Sequence, residues 1–272
     1  MQMETGFYNI ENQKYHDGPG LSSSDLRLLE RSPAHYKAKE QYQETSAMIL
    51  GSAFHAAALE PDYYKQNFVF LPPGITKAMK LGKEMAVEAQ EKNQYLLAHQ
   101  EKANIEGMRN AIFEHPQAKE LLQYGKKELS GYWYDSMVKD ILCKLRLDWL
   151  NTEQRVIVDL KSTTDARPGP WGKKAYDLGY GIQAAWYLYG LTQITQVEHE
   201  DFYFVAVEKE PPFGVIVYKA TNDLIQDGLV RCNQILGIYE RCMKENSWPC
   251  YPIEVNNLDL PGWKKRQNFI IE

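Results

Sequence analysis

The sequence predicts a single α/β (or α+β) domain, a mixed central sheet flanked by helices with a helical elaboration at its N-terminus. Three observations carry this. Up to about residue 125 the chain is mostly helical in pattern, with Leu, Met, Ile and Ala at helical spacing among many charges. Near Glu128 it changes to β-rich runs separated by short polar turns. A helix-patterned stretch, "GIQAAWYLYGLTQ", then intervenes before two more strand-like runs and a closing helix, an order typical of mixed α/β folding. With 272 residues and 44% apolar content, one large domain is expected over 1–272, divided into 1–125, a core at 126–245 and a tail at 246–272.

The opening twenty residues read as an extended arm ending in the turn "DGPG". In "LSSSDLRLLERSPAHYKAKEQ", Ser22 to Ser24 offer an N-cap and Leu26, Leu28 and Leu29 an apolar stripe, with Pro33 breaking that helix or starting the next. "SAMILGSAFHAAALEP" predicts a second helix ended by Pro61, and Lys77 to Tyr124 about two solvated helices. The runs "ELSGYWYDSM", "ILCKLRLDWLN" and "RVIVDLKST" predict a three-stranded antiparallel meander. "TDARPGPWGKK" reads as a loop before the crossover helix. "HEDFYFVAVEKE" and "FGVIVYKAT" complete the strands, and a helix from about Asp223 to Lys244 precedes the tail.

Composition excludes some classes of protein. No apolar run is long enough to cross a bilayer, and the first residues carry neither a basic leader nor an apolar signal, so a cytoplasmic protein is expected. Cys143, Cys232, Cys242 and Cys250 lack paired metal-ligand spacing, so neither a disulfide nor zinc is expected. No G-x-x-x-x-G-K-[ST] occurs, so no ATP chemistry is expected. The net charge of −5 argues mildly against a protein coated in basic surface for nucleic acid. It does not decide the matter, because a channel can be locally basic and a loaded metal offsets acidic ligands.

The chemistry concentrates in "VIVDLKST", where Asp159 and Lys161 stand two apart on a strand and so share a face. If the preceding run forms a hairpin with it, turning near Thr152 to Gln154, Asp148 lies near Asp159 on the neighbouring strand. Two carboxylates so placed repel, and a divalent cation such as magnesium is one way to keep both ionised. Edge salt bridges, for instance Asp148 with Lys144 or Arg146, are the other reading, and the residues alone leave both open. Gln183 and Tyr187 share one side of the crossover helix at i, i+4. Gly51 and His55 share a helical face, the glycine permitting close approach of another backbone. A lone His on an Ala-rich face is ordinarily a hydrogen-bonded core residue.

Taken in order, His55, Asp148, Asp159-Leu160-Lys161 and Gln183 with Tyr187 resemble the RecB-like branch of the PD-(D/E)xK nucleases, which share a restriction-endonuclease-like core. The segments "LSSSDLRLLERSPAHYKAK" and "GSAFHAAALEP" look most like RecE-type exonucleases, exodeoxyribonuclease VIII, of phages and prophages. The resemblance implies that His55, Asp148, Asp159 and the backbone carbonyl of Leu160 bind Mg2+, with Mn2+ able to substitute. It makes Asp148, Asp159 and Lys161 catalytic, and puts Gln183 and Tyr187 beside the site, touching DNA or supporting the ligands. Arg27, Lys173 and Lys174 are candidates for a DNA-facing wall. Iron-sulphur relatives place Cys before the N-terminal Pro. Here the pair is Ser32-Pro33, so no cluster is expected.

The implied activity is 5′ to 3′ degradation of linear double-stranded DNA, leaving 3′ single-stranded tails for recombination by a RecT-type annealing partner. A ring-shaped homo-oligomer, trimer or tetramer, threading DNA ends is implied with it. Two alternatives stay open: a nuclease of the same fold with another polarity or substrate, such as a single-strand exonuclease or structure-specific endonuclease, and a catalytically inactive DNA-end binding protein.

Overall fold

A computed structural model describes residues 3–39, 45–136, 138, 141–199 and 201–260. The end of the expected tail, 261–272, lies outside them. The first twenty residues are not a plain extended arm: they form β1 (Gly6–Tyr8) and α1 (Asn12–Asp17). Their partners are remote in sequence, which is why local pattern missed them. β1 adds an antiparallel edge to a strand beyond residue 125, and Lys144 ties the end of α1 by donating to the carbonyls of Tyr15 (2.8 Å), His16 (3.3 Å) and Gly18 (2.7 Å).

Ser22 caps α2 (Ser23–Arg31): its Oγ accepts the Asp25 amide, and Asp25 accepts the Ser22 amide. Pro33 opens α3 (Pro33–Lys37). Thr45 caps α4 (Ser46–Leu59), and Pro61 both ends that helix and begins α5 (Pro61–Asn67). β2 (Phe68–Phe70), α6 (Lys80–Glu91), β3 (Tyr95–Leu97), α7 (His99–Glu114) and α8 (Pro116–Leu121) follow, with β2 and β3 paired in parallel. The expectation of solvated helices here fails for α7, whose Ile105, Met108 and Ile112 are fully buried.

The meander is β4 (Gly125–Tyr134), β5 (Leu142–Asn151) and β6 (Val156–Thr163), antiparallel as expected. The stretch expected as a loop contains α9 (Pro168–Asp177), where Pro168 sits at a helix start and Trp171 is buried. After α10 (Tyr180–Thr195) come β7 (Phe202–Glu208), parallel to β6, β8 (Val215–Lys219) and α11 (Asn222–Glu245). The sheet order is β1-β4-β5-β6-β7-β8, so β6 and β7 form its parallel pair and α9 and α10 the crossover between them.

Each face of the sheet is covered. On one, α10 packs with α2 and α11 over Leu145, Leu147, Ile157, Phe202 and Phe204. The α10–α11 crossing is close because Gly228 lies against the Gly181 carbonyl, where a Cβ would come within 2.2 Å. On the other, Ala53, Phe54 and Ala57 of α4 pack with α7 against Val158, Leu160, Val205 and Val207. Each such large side chain contributes about 1.5–3 kcal/mol on burial. Alternate residues of β6 therefore enter opposite cores, and Asp159 shares the α10 side with Ile157. Cys143, Cys232 and Cys242 are buried thiols and Cys250 is exposed. Among the described residues, no helix is long and apolar enough to cross a membrane.

Candidate metal centre

The site begins where the β5–β6 ladder ends. Asn151 pins the hairpin: its side-chain oxygen accepts the amides of Glu153 and Gln154, while its amide donates to the Leu121 and Gln123 carbonyls. The turn sets Asn151 against Val156, Leu150 against Ile157 and Trp149 against Val158. One step further the same register would face Asp148 with Asp159, but no backbone pair forms there. Asp148 Oδ2 instead accepts the Leu160 amide at 2.8 Å. Leu147 and Leu150, three apart, both enter the α10-side core while Trp149 packs on the other face, so the alternation of β5 slips at Asp148.

On the other flank, Lys127 pairs with Trp149 and Leu129 with Leu147, which brings Glu128 level with Asp148. Glu128 has φ 47°, a left-handed conformation that interrupts the ladder. His55, on the third turn of α4, completes the group, its Nδ1 lying 3.3 Å from Asp148 Oδ2. One ligand atom from each of His55, Glu128 and Asp148 lies within 4.8 Å of the others.

The electrostatics follow from crowding. Burial alone would depress the His55 pKa, but the charge and hydrogen bond of Asp148 outweigh it and lift it to about 9. Burial opposes ionisation of Asp148 too, yet His55, Lys161 and the Leu160 amide hold it below the usual carboxylate range. Glu128 is pushed up to about 7 by burial and by Asp148, with Arg146 pulling the other way. This donor set fits a divalent cation: an imidazole and two carboxylates converge, and burial and the charge of Asp148 keep one carboxylate hard to ionise even beside Arg146. An ion there would displace the His55 proton and let Glu128 ionise.

Asp159 and Lys161 form the second half. Lys161 Nζ lies 2.5 Å from Asp159 Oδ2, and the Gln183 amide donates to Oδ1 at 2.6 Å. Asp159 is nevertheless raised to about 6, by burial first and by Asp148 next, with Lys161 opposing. For Lys161, burial would lower the pKa, but Asp159 and Asp148 drive it above the ordinary range. Its ammonium also stands 4.9 Å from the centre of the Tyr180 ring. Tyr187 is buried beside this pair, its pKa pushed to about 12 by burial and by Asp159. With Asp159 2% exposed and His55 26%, solvent reaches the centre from the His55 side.

Neither expected partner pairs with Asp148: Lys144 is spent on α1, and Arg146 donates to Glu128 Oε2 at 2.7 Å and to Ser130. Gly51 does not admit another backbone, since a Cβ there would meet open space. Arg27 lies with its stem against Gly179, next to Tyr180 and hence near Lys161. Lys173 is exposed, and Lys174 donates to Thr163 Oγ1 at 3.0 Å. Glu128 escaped the sequence reading, because "KKELSG" reads as an exposed strand end. The available signal was register: a meander that sets Asp148 near Asp159 also sets Glu128 beside Asp148.

Residues 22–259 match the family described as a PDDEXK-like domain of unknown function (DUF3799). No curated protein matches the chain. Among solved structures, a presumed exonuclease of Eubacterium rectale aligns at TM-score 0.61 and 15% identity, over 91% of this chain and 97% of that one. A phage-related exonuclease of Haemophilus somnus 129PT aligns at TM-score 0.36 and 13% identity, over 86% and 99%. At these identities the first likeness speaks for the fold, and the second carries no argument.

Proposed function

Because the chain belongs to the PDDEXK-like family DUF3799, we propose that it is a divalent-metal-dependent deoxyribonuclease, a RecE-type 5′ to 3′ exonuclease on linear double-stranded DNA. The observation that carries this reading is the convergence of His55, Glu128 and Asp148 beside the Asp159–Lys161 pair. Bound there by His55, Glu128, Asp148, Asp159 and the Leu160 carbonyl, Mg2+ or Mn2+ would supply Lewis-acid polarisation of the phosphodiester and a more acidic attacking water. Glu128 extends the ligand set expected from sequence.

The protein's own residues have distinct tasks. Lys161, held as an ammonium by two carboxylates, is suited to neutralise charge on the phosphorane-like transition state rather than to remove a proton. Gln183 fixes one Asp159 oxygen and Lys161 the other, so the carboxylate keeps a single orientation. Tyr180 and Tyr187 wall off its α10 side. A ring-shaped homo-oligomer that engages DNA ends and hands 3′ tails to a RecT-type annealing partner belongs to the same reading.

The test is nucleotide release from linear duplex labelled at either end, with magnesium or EDTA, for wild type and Lys161→Ala. Early magnesium-dependent loss of the 5′ label, absent in the variant, is expected. Early loss of the 3′ label would reverse the polarity, and no release with any divalent metal would leave a DNA-end binding protein.

A further inference from the structure

The carboxyl ends of β6 and β7 carry a second polar cluster that the catalytic reading does not use. Thr163 ends β6 opposite Glu208, which ends β7. Lys174, from α9, donates through Nζ to Thr163 Oγ1 at 3.0 Å, and the Lys209 amide donates to the Thr163 carbonyl at 2.9 Å. One threonine thus anchors two lysines from separate elements, and both are half-buried. They are close enough that burial and the charge of Lys174 together lower the Lys209 pKa.

Among the described residues, neither ammonium has a carboxylate within ion-pair distance. The acids of this turn are engaged elsewhere: Glu208 Oε1 accepts the Ala166 amide, and Asp165 is clasped by Arg167. Half-buried like charges without a counter-ion favour an external anion. Position narrows the choice. Asp159, Lys161 and Thr163 succeed one another on one face of β6, so Thr163 lies roughly 7 Å beyond Lys161 along the strand, about one nucleotide step of a phosphodiester backbone. Carboxyl ends of parallel strands are also where open α/β sheets receive ligands.

We propose that Lys174 and Lys209 form a phosphate subsite for the nucleotide next to the scissile bond, holding the DNA backbone in register with Lys161. The inference rests on the nuclease reading above. It makes Lys174 a positioning residue through its pairing with Lys209, a residue for which the sequence offered no role.

The experiment measures equilibrium binding of a fluorescent 5′-phosphorylated duplex in EDTA across a salt series, so that neither metal nor turnover contributes. Wild type is compared with Lys174→Ala/Lys209→Ala, with Lys174→Arg/Lys209→Arg, and with Lys80→Ala on α6 as a control. A second variant, Lys209→Ala alone, leaves the Thr163 bond of Lys174 intact in case the double variant folds poorly. Expected are about tenfold weaker binding at low salt for the double variant and a log–log salt slope smaller by about one, the loss of one phosphate contact. The arginine pair should restore most of both. Unchanged affinity and slope in Lys209→Ala and the double variant, with wild type binding and degrading DNA, would overturn the subsite alone. Wild type that neither binds nor degrades DNA would overturn the nuclease reading and the subsite with it.

Discussion

The Leu160 amide donates to Asp148 Oδ2 at 2.8 Å, so a carboxylate completes the sheet where a neighbouring strand's carbonyl would otherwise stand. Asp148 is therefore a structural acceptor and a candidate metal ligand through one side chain.

Replacing Asp148 separates these duties. Asp148→Asn keeps an oxygen for Leu160 but loses the charge, and should abolish metal-dependent nucleotide release with the smaller fall in urea midpoint of the two variants considered. Asp148→Ala also strands the amide and leaves His55 without its partner, a cost of roughly 2–4 kcal/mol. Urea unfolding in EDTA, run beside the activity assay, checks the ordering. Equal stability of the two variants would contradict it.

Glu128 tests the ligand that register revealed. Glu128→Gln should weaken Mn2+ binding about 10- to 100-fold by calorimetry, while circular dichroism stays native. Unchanged affinity would make Glu128 only the counter-ion of Arg146.

Without metal, stability should depend on pH in an unusual direction. The folded His55 pKa, about 9, exceeds its ordinary value of 6.5, so the folded state binds the extra proton between them. That contribution is complete below about pH 6.5 and is lost as pH rises through 9. It amounts to roughly 3–4 kcal/mol for a shift of this size. Glu128 and Asp159, raised to about 7 and 6, act in the same sense at lower pH. The melting temperature in EDTA should thus fall from pH 6.5 to 9, and His55→Gln should flatten that fall. A wild-type profile that rises over this range would show that Asp148 does not hold the proton on His55.

Lys161 and Gln183 should differ in kind. Lys161→Ala should lower the turnover rate about 10²- to 10⁴-fold with Mn2+ affinity nearly retained, since it acts on developing charge. Gln183→Ala, removing one bond to a buried carboxylate, should cost about 1.5–3 kcal/mol of stability and less activity. Single-turnover kinetics beside calorimetry separate the two effects.

His55, Asp148, Asp159, Lys161 and Gln183 were named through the family resemblance that their order carries, each lying in a short segment of strong local pattern. The meander was legible for the same reason, with its turn and three strands contiguous in sequence. β1 and α1 were not, since their stability comes from β4 and Lys144, more than 110 residues away. Glu128 and Lys209 were hidden differently. Each is an ordinary charge in its own segment and gains meaning only from the strand beside it. α9 was read as a loop because its two prolines and two glycines look like turn residues, although Pro168 is at home in a helix's first turn.

The placement of Asp159 and Lys161 on β6, which pairs with β7 along most of its length and with β5 over Val156–Val158 and lies between two cores, also sets a timescale. Amides at the heart of such a strand exchange with solvent chiefly when the whole domain opens, whereas α4, exposed over its first turn, can fray from that end. Deuterium labelling should find β6 among the last protected segments, with the His55 helix exchanging sooner. Under the nuclease reading proposed above, the β6 end of the site is a fixed anvil, and accommodation of an incoming DNA end would fall to the helix that carries His55.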